Sequence, residues 1–433
     1  MGDLRPIIDE LLEALRKQGG FGYVALTALA ESGDRTAAGE IYEMAWEQLH
    51  SGPWSEVHSA WRDAFSLACL LLSNCIERDE GDLEQCLKYL DMGLIMGGLV
   101  FRAHLESAIS RAQKAREDDE EDDSQTGNGG TGDESEQNYR NRSFAESLKK
   151  LPSGSLSQAR IRATCLPSLE TFAREFFLPG EPVVIKRAML DWPALTKWKN
   201  LEYLRRIAGS RTVPVEIGEH YLAPGWKQEL MTIGDLINRC TSSELSSTNR
   251  PYLAQHSLFD QASHCFLFSV CVAHVHVCGG YSIPELRKDI IVPDYCALGG
   301  GDMKSVNAWF GPANTVTPLH HDPHHNLFAQ VVGQKYVRLY SPAHSSHLYP
   351  FAESMLMNSS QVDLDGPDLL NFPEFEKASG MEYILEEGDM LYIPPKWWHY
   401  VKSLSPSFSV SFWWAVTSSV SSDTESYDAD DRP

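Results

Sequence analysis

The sequence of 433 residues lacks any run of about 18 consecutive apolar residues, the length that a membrane-spanning helix requires. It also lacks the marks of export, because its first residues include acids where a signal peptide needs basic ones. Pro6 stands where N-myristoylation requires serine or threonine. The nine cysteines show no paired spacing. We therefore expect no contact with membranes, and reduced thiols in the cytosol or nucleus.

Positive charge is scarce, since 37 Lys and Arg oppose 60 Asp and Glu and the net charge is −23. The acids are concentrated in two places. Residues 116–136 contain ten acids and one Arg, and residues 423–433 contain five acids and one Arg. The rest of the chain is therefore only mildly acidic. This balance argues against direct binding of nucleic acid, whereas basic peptide segments would be attracted.

The length predicts two domains. Residues 1–115 have the pattern of a helical bundle, with one apolar stripe in the first helix and later long segments separated by Gly, Pro and Asp. No clean repeat period, ligand cluster or nucleophile motif is found there, so we expect a docking domain for an unknown protein partner. Residues 116–150 have too few apolar residues to fold and predict an acidic disordered linker.

Short β-rich runs bounded by Gly and Pro fill residues 151–417, which predicts a β-barrel or a double-sheet jelly roll. The chain as a whole is thus of the α+β class. Residues 418–433 predict an acidic disordered tail.

One segment of this second domain, residues 262–282, lies in a stretch without any charged side chain. A zinc site there would use Cys265, Cys271, His274, His276 and Cys278. Their spacing matches none of the usual paired-ligand patterns, so we favour an atypical insert without a metal. The insert is either a genuine loop or translated non-coding sequence.

The stretch "HHDPHHN", His320 to Asn326, contains the strongest chemical signal. Side chains alternate in an extended segment, so His320 and Asp322 project to one face and can reach one metal ion. His399, near the end of the predicted strand "MLYIPP", is a candidate third ligand. Two histidines and one carboxylate leave open positions, an arrangement suited to non-haem Fe(II) oxygenases.

Lys335 supplies the cation that the distal carboxylate of a 2-oxoglutarate cosubstrate would need. Gly333 and Gln334 precede it, and we predict a short hairpin there that turns the ammonium back toward the metal.

The stretches "AWFGPANTVTPLHHDPHHNLFAQVVGQKYVRLYSP", "GDMLYIPPKWWHYV" and "SFSVSFWW" resemble the JmjC domain of Fe(II)- and 2-oxoglutarate-dependent oxygenases. The resemblance covers about residues 151–416. It implies a double-stranded β-helix, also called a jelly-roll or cupin-like fold, following the helical domain. It also implies iron ligands His320, Asp322 and His399, and 2-oxoglutarate contacts from Tyr252, Thr317, Asn326 and Lys335.

Within this resemblance, His321, His324 and His325 are expected to be bystanders, since further protein ligands would fill the positions that oxygen and cosubstrate need. Glu216 and Trp309 match positions that line a pocket for an arginine side chain, and a carboxylate with an indole face suits a guanidinium.

We therefore expect hydroxylation of arginyl residues in proteins. The alternative is demethylation of dimethyl-lysine in a histone tail. An alternative of another class is a catalytically impaired JmjC scaffold, and a further one is a cupin-type metalloenzyme that needs no 2-oxoglutarate. The resemblance also implies a nuclear chromatin regulator, with the cytoplasm as a second location.

Overall fold

A computed structural model describes most of the chain and consists of a helical region followed by a β-rich region. The described residues are 4–53, 56–79, 81–126, 151–152, 155, 158–242, 245–259, 283–352 and 356–417. The predictions for the linker beyond residue 126, for the insert 262–282 with its five candidate zinc ligands, and for the tail 418–433 lie outside these residues.

Six helices form the first region: α1 Arg5–Lys17, α2 Phe21–Ser32, α3 Arg35–Leu49, α4 Ser59–Arg78, α5 Leu83–Met96 and α6 Arg102–Thr126. Polar residues in front of two of them fix where they begin. The side chains of Asp34 and Asp82 accept hydrogen bonds from backbone amides in the first turns of α3 and α5. Successive helices pack against each other around buried side chains such as Ile8, Ile41 and Phe65.

The last helix corrects the boundary that we predicted at residue 115. α6 continues to Thr126, so residues 116–126 of the expected disordered linker are helical. This segment contains three glutamates, which are good helix formers, and the first glycine after Arg102 is Gly127. A helix that has already formed by packing of its first turns can therefore extend through polar sequence.

Fourteen strands are described in the second region. They are β1 Ala159–Arg160, β2 Ala163–Cys165, β3 Val183–Lys186, β4 Thr212–Ile217, β5 Lys227–Thr232, β6 Pro251–His256, β7 Asp302–Gly311, β8 Val316–His321, β9 His325–Val332, β10 Lys335–Tyr340, β11 Gly380–Leu385, β12 Met390–Ile393, β13 Trp398–Ser403 and β14 Ser407–Ala415. One sheet has the order β1-β11-β10-β13-β8, and the other has the order β2-β3-β12-β9-β14-β7-β6-β4-β5.

The two sheets enclose an interior of apolar side chains, among them Phe328, Val337, Leu339, Leu391 and Val401. Strands that alternate between the two sheets along the chain are typical of a jelly roll, and the α+β prediction is confirmed.

Short helices cover the outside of the larger sheet: α7 Leu169–Phe172, α8 Ala194–Lys197, α9 Leu201–Ala208, α10 Ile233–Cys240 and α11 Pro284–Lys288. Asp289, just after α11, ties several of them together. Its carboxylate accepts hydrogen bonds from Lys197, from the Trp198 indole and from the Tyr203 hydroxyl. None of the helices in the described part of the chain has both the length and the apolar character that a bilayer span needs.

Our prediction of a hairpin before Lys335 is wrong. β9 pairs with β12 and β14, whereas β10 pairs with β11 and β13, so the turn between them carries the chain from one sheet to the other. Gly333 in this turn has φ +78°, and a Cβ at this position would lie 2.1 Å from the carbonyl oxygen of Pro406. Glycine is therefore needed at this crossing.

Candidate metal and cosubstrate site

The structure brings together the three side chains that were predicted as metal ligands. β8 and β13 are antiparallel neighbours, and His320 and His399 lie directly opposite each other in this pair. Asp322 follows β8 and places its carboxylate 3.9 Å from His320 Nε2 and 3.5 Å from His399 Nε2. Among the described residues this is the one group of three such side chains whose ligand atoms all lie within 4.8 Å of one another.

The position of His399 differs in one respect from the prediction. It does not lie near the end of β12 but within the separate strand β13, after a turn that contains Pro394 and Pro395. The backbone amide of Lys396 in this turn donates to the Asp322 carbonyl over 2.7 Å. The turn therefore joins the two chain segments that carry the ligands.

Both imidazoles are oriented by hydrogen bonds from their other nitrogen. His320 Nδ1 lies 2.8 Å from the Pro318 carbonyl oxygen, and His399 Nδ1 lies 3.1 Å from that of Trp397. A carbonyl oxygen only accepts, so each Nδ1 carries a hydrogen and each Nε2 is the nitrogen near the Asp322 carboxylate. Burial lowers the pKa of His320 to about 4, which keeps the ring neutral at physiological pH. A neutral imidazole that is oriented through Nδ1 can bind a metal ion through Nε2.

Lys335 at the start of β10 is 1% exposed and points into the interior between the sheets. Its ammonium lies over the rings of Tyr252 and Phe328 and donates to the Tyr252 hydroxyl over 3.3 Å. No ion pair to Lys335 occurs among the described residues, and burial lowers its pKa to about 7. A buried ammonium in such surroundings is stabilised once a bound carboxylate supplies the missing negative charge.

Tyr252, Thr317 and Asn326 are the other predicted cosubstrate contacts. Tyr252 is buried in β6, and its hydroxyl shares a hydrogen bond with the side chain of Thr317. Asn326 is buried in β9, and its Oδ1 has no hydrogen-bond partner in the described structure. The predicted contacts are thus a phenol, a hydroxyl, an amide and an ammonium, and they come from both sheets. These residues fit a dicarboxylate.

Trp413 is a residue that sequence reasoning missed. It lies in β14 directly opposite Asn326, and its Nε1 is buried without a hydrogen-bond partner in the described part of the chain. An unpaired donor and an unpaired acceptor side by side indicate a place for a bound polar group. The sequence signal was weak, because "SFSVSFWW" reads only as a strand.

The two predicted substrate contacts flank Tyr252. Glu216 in β4 is its register partner in β6, and the Trp309 ring centroid lies 6.1 Å from that of Tyr252. Burial raises the pKa of Glu216 to about 7. Trp309 is 8% exposed and donates from Nε1 to Ser411 Oγ, so most of its ring belongs to the interior packing.

Tyr221 is a second residue that the sequence did not indicate. Its hydroxyl lies 3.0 Å from Ser359 Oγ. Burial raises its pKa, and the nearby carboxylates of Glu216 and Asp322 raise it further. Tyr221 therefore lies near both the candidate substrate contact and the metal ligands. It follows β4 in a loop that carries no recognisable motif.

The remaining histidines of "HHDPHHN" have other neighbours. His325 Nδ1 lies 2.9 Å from the Tyr392 hydroxyl, and its ring stacks on Phe177 at 4.6 Å. The His321 ring meets Trp398 edge-on at 4.6 Å, and the His324 ring lies 5.9 Å from that of Trp413. These contacts give each ring a packing role, in keeping with the bystander role that we predict for them.

Comparison with known proteins agrees with the geometry. Residues 168–419 match the family described as a cupin-like domain, and residues 5–126 match the family described as KDM8-like, N-terminal ARM repeats. The chain belongs to the cupin-like JmjC family, and we assign it to the Fe(II)- and 2-oxoglutarate-dependent oxygenases.

Several characterised relatives resemble it over nearly their whole length. It is 47% identical to lysine-specific demethylase JMJ30 of Arabidopsis thaliana, covering 94% of this chain and 92% of the relative. Lysine-specific demethylase 8 of Xenopus tropicalis is 38% identical, with 88% of each chain covered. Jumonji C domain-containing protein 5 of Drosophila melanogaster is 35% identical, with 87% of this chain and 86% of the relative covered.

The match to ARM repeats also corrects the sequence analysis, which found no clean repeat period in residues 1–115. Helical repeats conserve a pattern of buried positions rather than residue identities, so a repeat can escape a search for a fixed period.

Proposed function

We propose that this protein oxidises cationic side chains of protein substrates, and that demethylation of methyl-lysine by hydroxylation of the N-methyl group is its principal reaction. The names of the relatives in Arabidopsis and Xenopus, both lysine-specific demethylases, support this choice of reaction. The observation that carries the oxygenase chemistry is the grouping of His320, Asp322 and His399 beside the buried, unneutralised Lys335.

The chain's own residues supply binding and orientation. His320, Asp322 and His399 would hold Fe(II), and Lys335, Tyr252, Thr317 and Asn326 would hold 2-oxoglutarate. When bound, the iron activates oxygen at the expense of 2-oxoglutarate, which leaves as succinate and carbon dioxide. Side chains such as Phe328 and Val401 make the surrounding interior apolar, so water is kept away from the reacting atoms.

Hydroxylation of arginyl residues is the second candidate, and Glu216 favours it. Its carboxylate is partly buried at the register position opposite Tyr252, and no ion pair to it occurs among the described residues. A guanidinium could bind both oxygens of this carboxylate, whereas a dimethyl-ammonium has a single N–H to offer.

The two reactions are separated by mass spectrometry of peptides incubated with the enzyme, Fe(II) and 2-oxoglutarate. Demethylation removes one methyl group from a dimethyl-lysyl peptide, and hydroxylation adds one oxygen to an arginyl peptide. The Glu216→Ala variant should lose arginine hydroxylation and keep most of the demethylation. If a dimethyl-lysyl histone peptide keeps both methyl groups while an arginyl peptide gains oxygen, the principal proposal is overturned in favour of the second.

The same reaction mixture tests the alternatives of another class. Succinate release that depends on both Fe(II) and 2-oxoglutarate, and that is lost in His320→Ala, excludes a silent scaffold and a metalloenzyme without 2-oxoglutarate. An intact ligand group argues for activity. Action on histones would place the protein in the nucleus, and the helical region would bind an additional protein partner there or in the cytoplasm.

A further inference from the structure

The helical region packs against the oxygenase domain, and α5 is the helix that makes this contact. Every residue from Leu90 to Gly97 is buried. α5 contacts α4 and α6 of the helical region and β4 of the β-rich region. A single cluster of buried apolar side chains includes Leu90 and Leu94 of α5 together with Val213 and Val215 of β4. The two regions therefore share one core.

An ion pair lies inside this apolar interface. Asp91 of α5 and Arg211, the residue before β4, are 0% and 1% exposed. Arg211 donates from Nε to Asp91 Oδ1 over 3.0 Å, and its Nη2 lies 2.9 Å from the same oxygen. The backbone amide of Thr212, the first residue of β4, donates to Asp91 Oδ2 over 2.7 Å. Asp91 thus binds both a side chain and the main chain at the start of the strand.

A buried ion pair is a poor source of stability, because removal of both charges from water offsets most of their attraction. An apolar pair of similar volume would serve the interface as well or better. The pair does, however, fix one arrangement, since any slip of β4 against α5 leaves two buried charges and an amide unpaired. Its contribution therefore concerns the position of β4.

The strand that Asp91 fixes leads to the substrate side of the site. Glu216 lies four residues after Thr212, about 13 Å along the strand and on the same face. β4 pairs with β6 so that Glu216 faces Tyr252. Arg211 also lies near the other end of β6, at His256. The pKa of His256 is lowered to about 4, mainly by burial and in addition by the charge of Arg211. The interface thus lies near two strands of the site, β4 with Glu216 and β6 with Tyr252.

We propose that Asp91 of the helical region is a positioning residue of the oxygenase site, which holds β4 through Arg211 and Thr212 so that Glu216 faces the substrate. The helical region is then part of the substrate-binding apparatus and not only a docking module. This inference rests on the second candidate function, in which Glu216 contacts the arginyl side chain of the substrate.

The test is the full-length double variant Asp91→Leu with Arg211→Met, in which the charge pair is replaced by apolar side chains. We expect it to fold with a melting temperature close to that of the wild type. Because β4 is no longer held, amide hydrogen exchange in residues 212–217 should accelerate. The KM for an arginyl peptide should rise roughly tenfold, and 2-oxoglutarate turnover without peptide should change less than about twofold.

Ile41→Ala is the matched control, since Ile41 is fully buried in α3, which packs against α2 and α4. It should lower the melting temperature without a selective change in peptide KM. Should the double variant fail to fold, Arg211→Lys is tested instead. This variant keeps a positive charge beside Asp91 but loses the paired N–H donors of the guanidinium, so we expect a smaller rise in peptide KM. Unchanged exchange in 212–217 together with an unchanged peptide KM, in whichever of these variants folds, would overturn the proposal.

Glu216→Gln separates this inference from the proposed function. If that variant binds the arginyl peptide as the wild type does, Glu216 is not a substrate contact and the second candidate function loses its support. The role of Asp91 is then decided by the exchange of β4 alone.

Discussion

Replacement of Lys335 by methionine should stabilise the protein in the absence of 2-oxoglutarate. The wild-type ammonium is 1% exposed, lies between two aromatic rings, and has its pKa lowered from 10.5 to about 7 by burial. Burying it charged is unfavourable, and methionine has a similar length without the charge. The variant therefore removes the unfavourable free energy of burying a charged ammonium in the protein without 2-oxoglutarate.

The size of this cost depends on pH. Between pH 7 and pH 10.5 the unfolded chain binds more protons at this residue than the folded chain does, so wild-type stability rises with pH in that window. At 1.36 kcal/mol per pH unit, the cost is about 5 kcal/mol at pH 6 and about 2 kcal/mol at pH 9. The packing of methionine is the same at both pH values. The stability advantage of Lys335→Met over the wild type should therefore shrink by about 3 kcal/mol from pH 6 to pH 9.

Urea unfolding followed by tryptophan fluorescence, at both pH values and with a chelator present, measures this difference. Lys402→Met is the matched control, because Lys402 is also buried but lies 2.8 Å from Asp365 Oδ2. Its replacement should destabilise the protein. A second measurement is calorimetry of 2-oxoglutarate binding at pH 8 in buffers of different ionisation enthalpy. Wild-type protein should take up close to one proton, since the bound carboxylate restores the charge on Lys335.

The reasoning is refuted if the advantage of Lys335→Met is independent of pH, or if 2-oxoglutarate binds at pH 8 without proton uptake. Either result would mean that the Lys335 ammonium already has a negatively charged partner in the protein without 2-oxoglutarate.

Two other predictions concern the walls of the site. The kcat/KM for an arginyl peptide should fall as the pH drops below about 7, because Glu216 becomes protonated and loses its charge. The Glu216→Gln variant should show a low kcat/KM without this pH dependence. An identical pH profile in both proteins would contradict the assignment of Glu216 as a substrate contact. Gly311→Ala should raise the KM for 2-oxoglutarate, because the new Cβ would lie 2.8 Å from Tyr252 Cδ2 and displace that ring; a variant that keeps the wild-type KM while folding normally would argue against Tyr252 as a cosubstrate contact.

Local sequence patterns were sufficient for the features that depend on neighbouring residues. The alternation of side chains in an extended segment placed His320 and Asp322 on one face, and β8 has this geometry. The β-rich texture predicted for residues 151–417 corresponds to strands, among them "MLYIPP" with β12, because burial and branching are local properties. The α6 boundary was missed because a polar sequence gives no signal of where a packed helix ends.

Features that depend on pairing between distant segments could not be predicted in this way. His399 meets His320 only because β13 is the neighbour of β8, 79 residues later, and nothing near either residue specifies that pairing. The supposed hairpin before Lys335 failed for the same reason, since a turn containing glycine looks alike whether it joins paired strands or crosses between sheets. Trp413 was missed because its role depends on the partner across from it.

The placement of the site residues on both sheets explains why the interior must be rigid. Lys335 and His399 come from one sheet, and Tyr252 and Asn326 come from the other. Their separation is fixed by the apolar side chains packed between the sheets, such as Phe328 and Val401. β4 is close to the edge of the larger sheet, two strands beyond β7, so it is held less firmly by that packing. A strand in this position needs support from outside the jelly roll, and α5 with Asp91 lies where that support is needed.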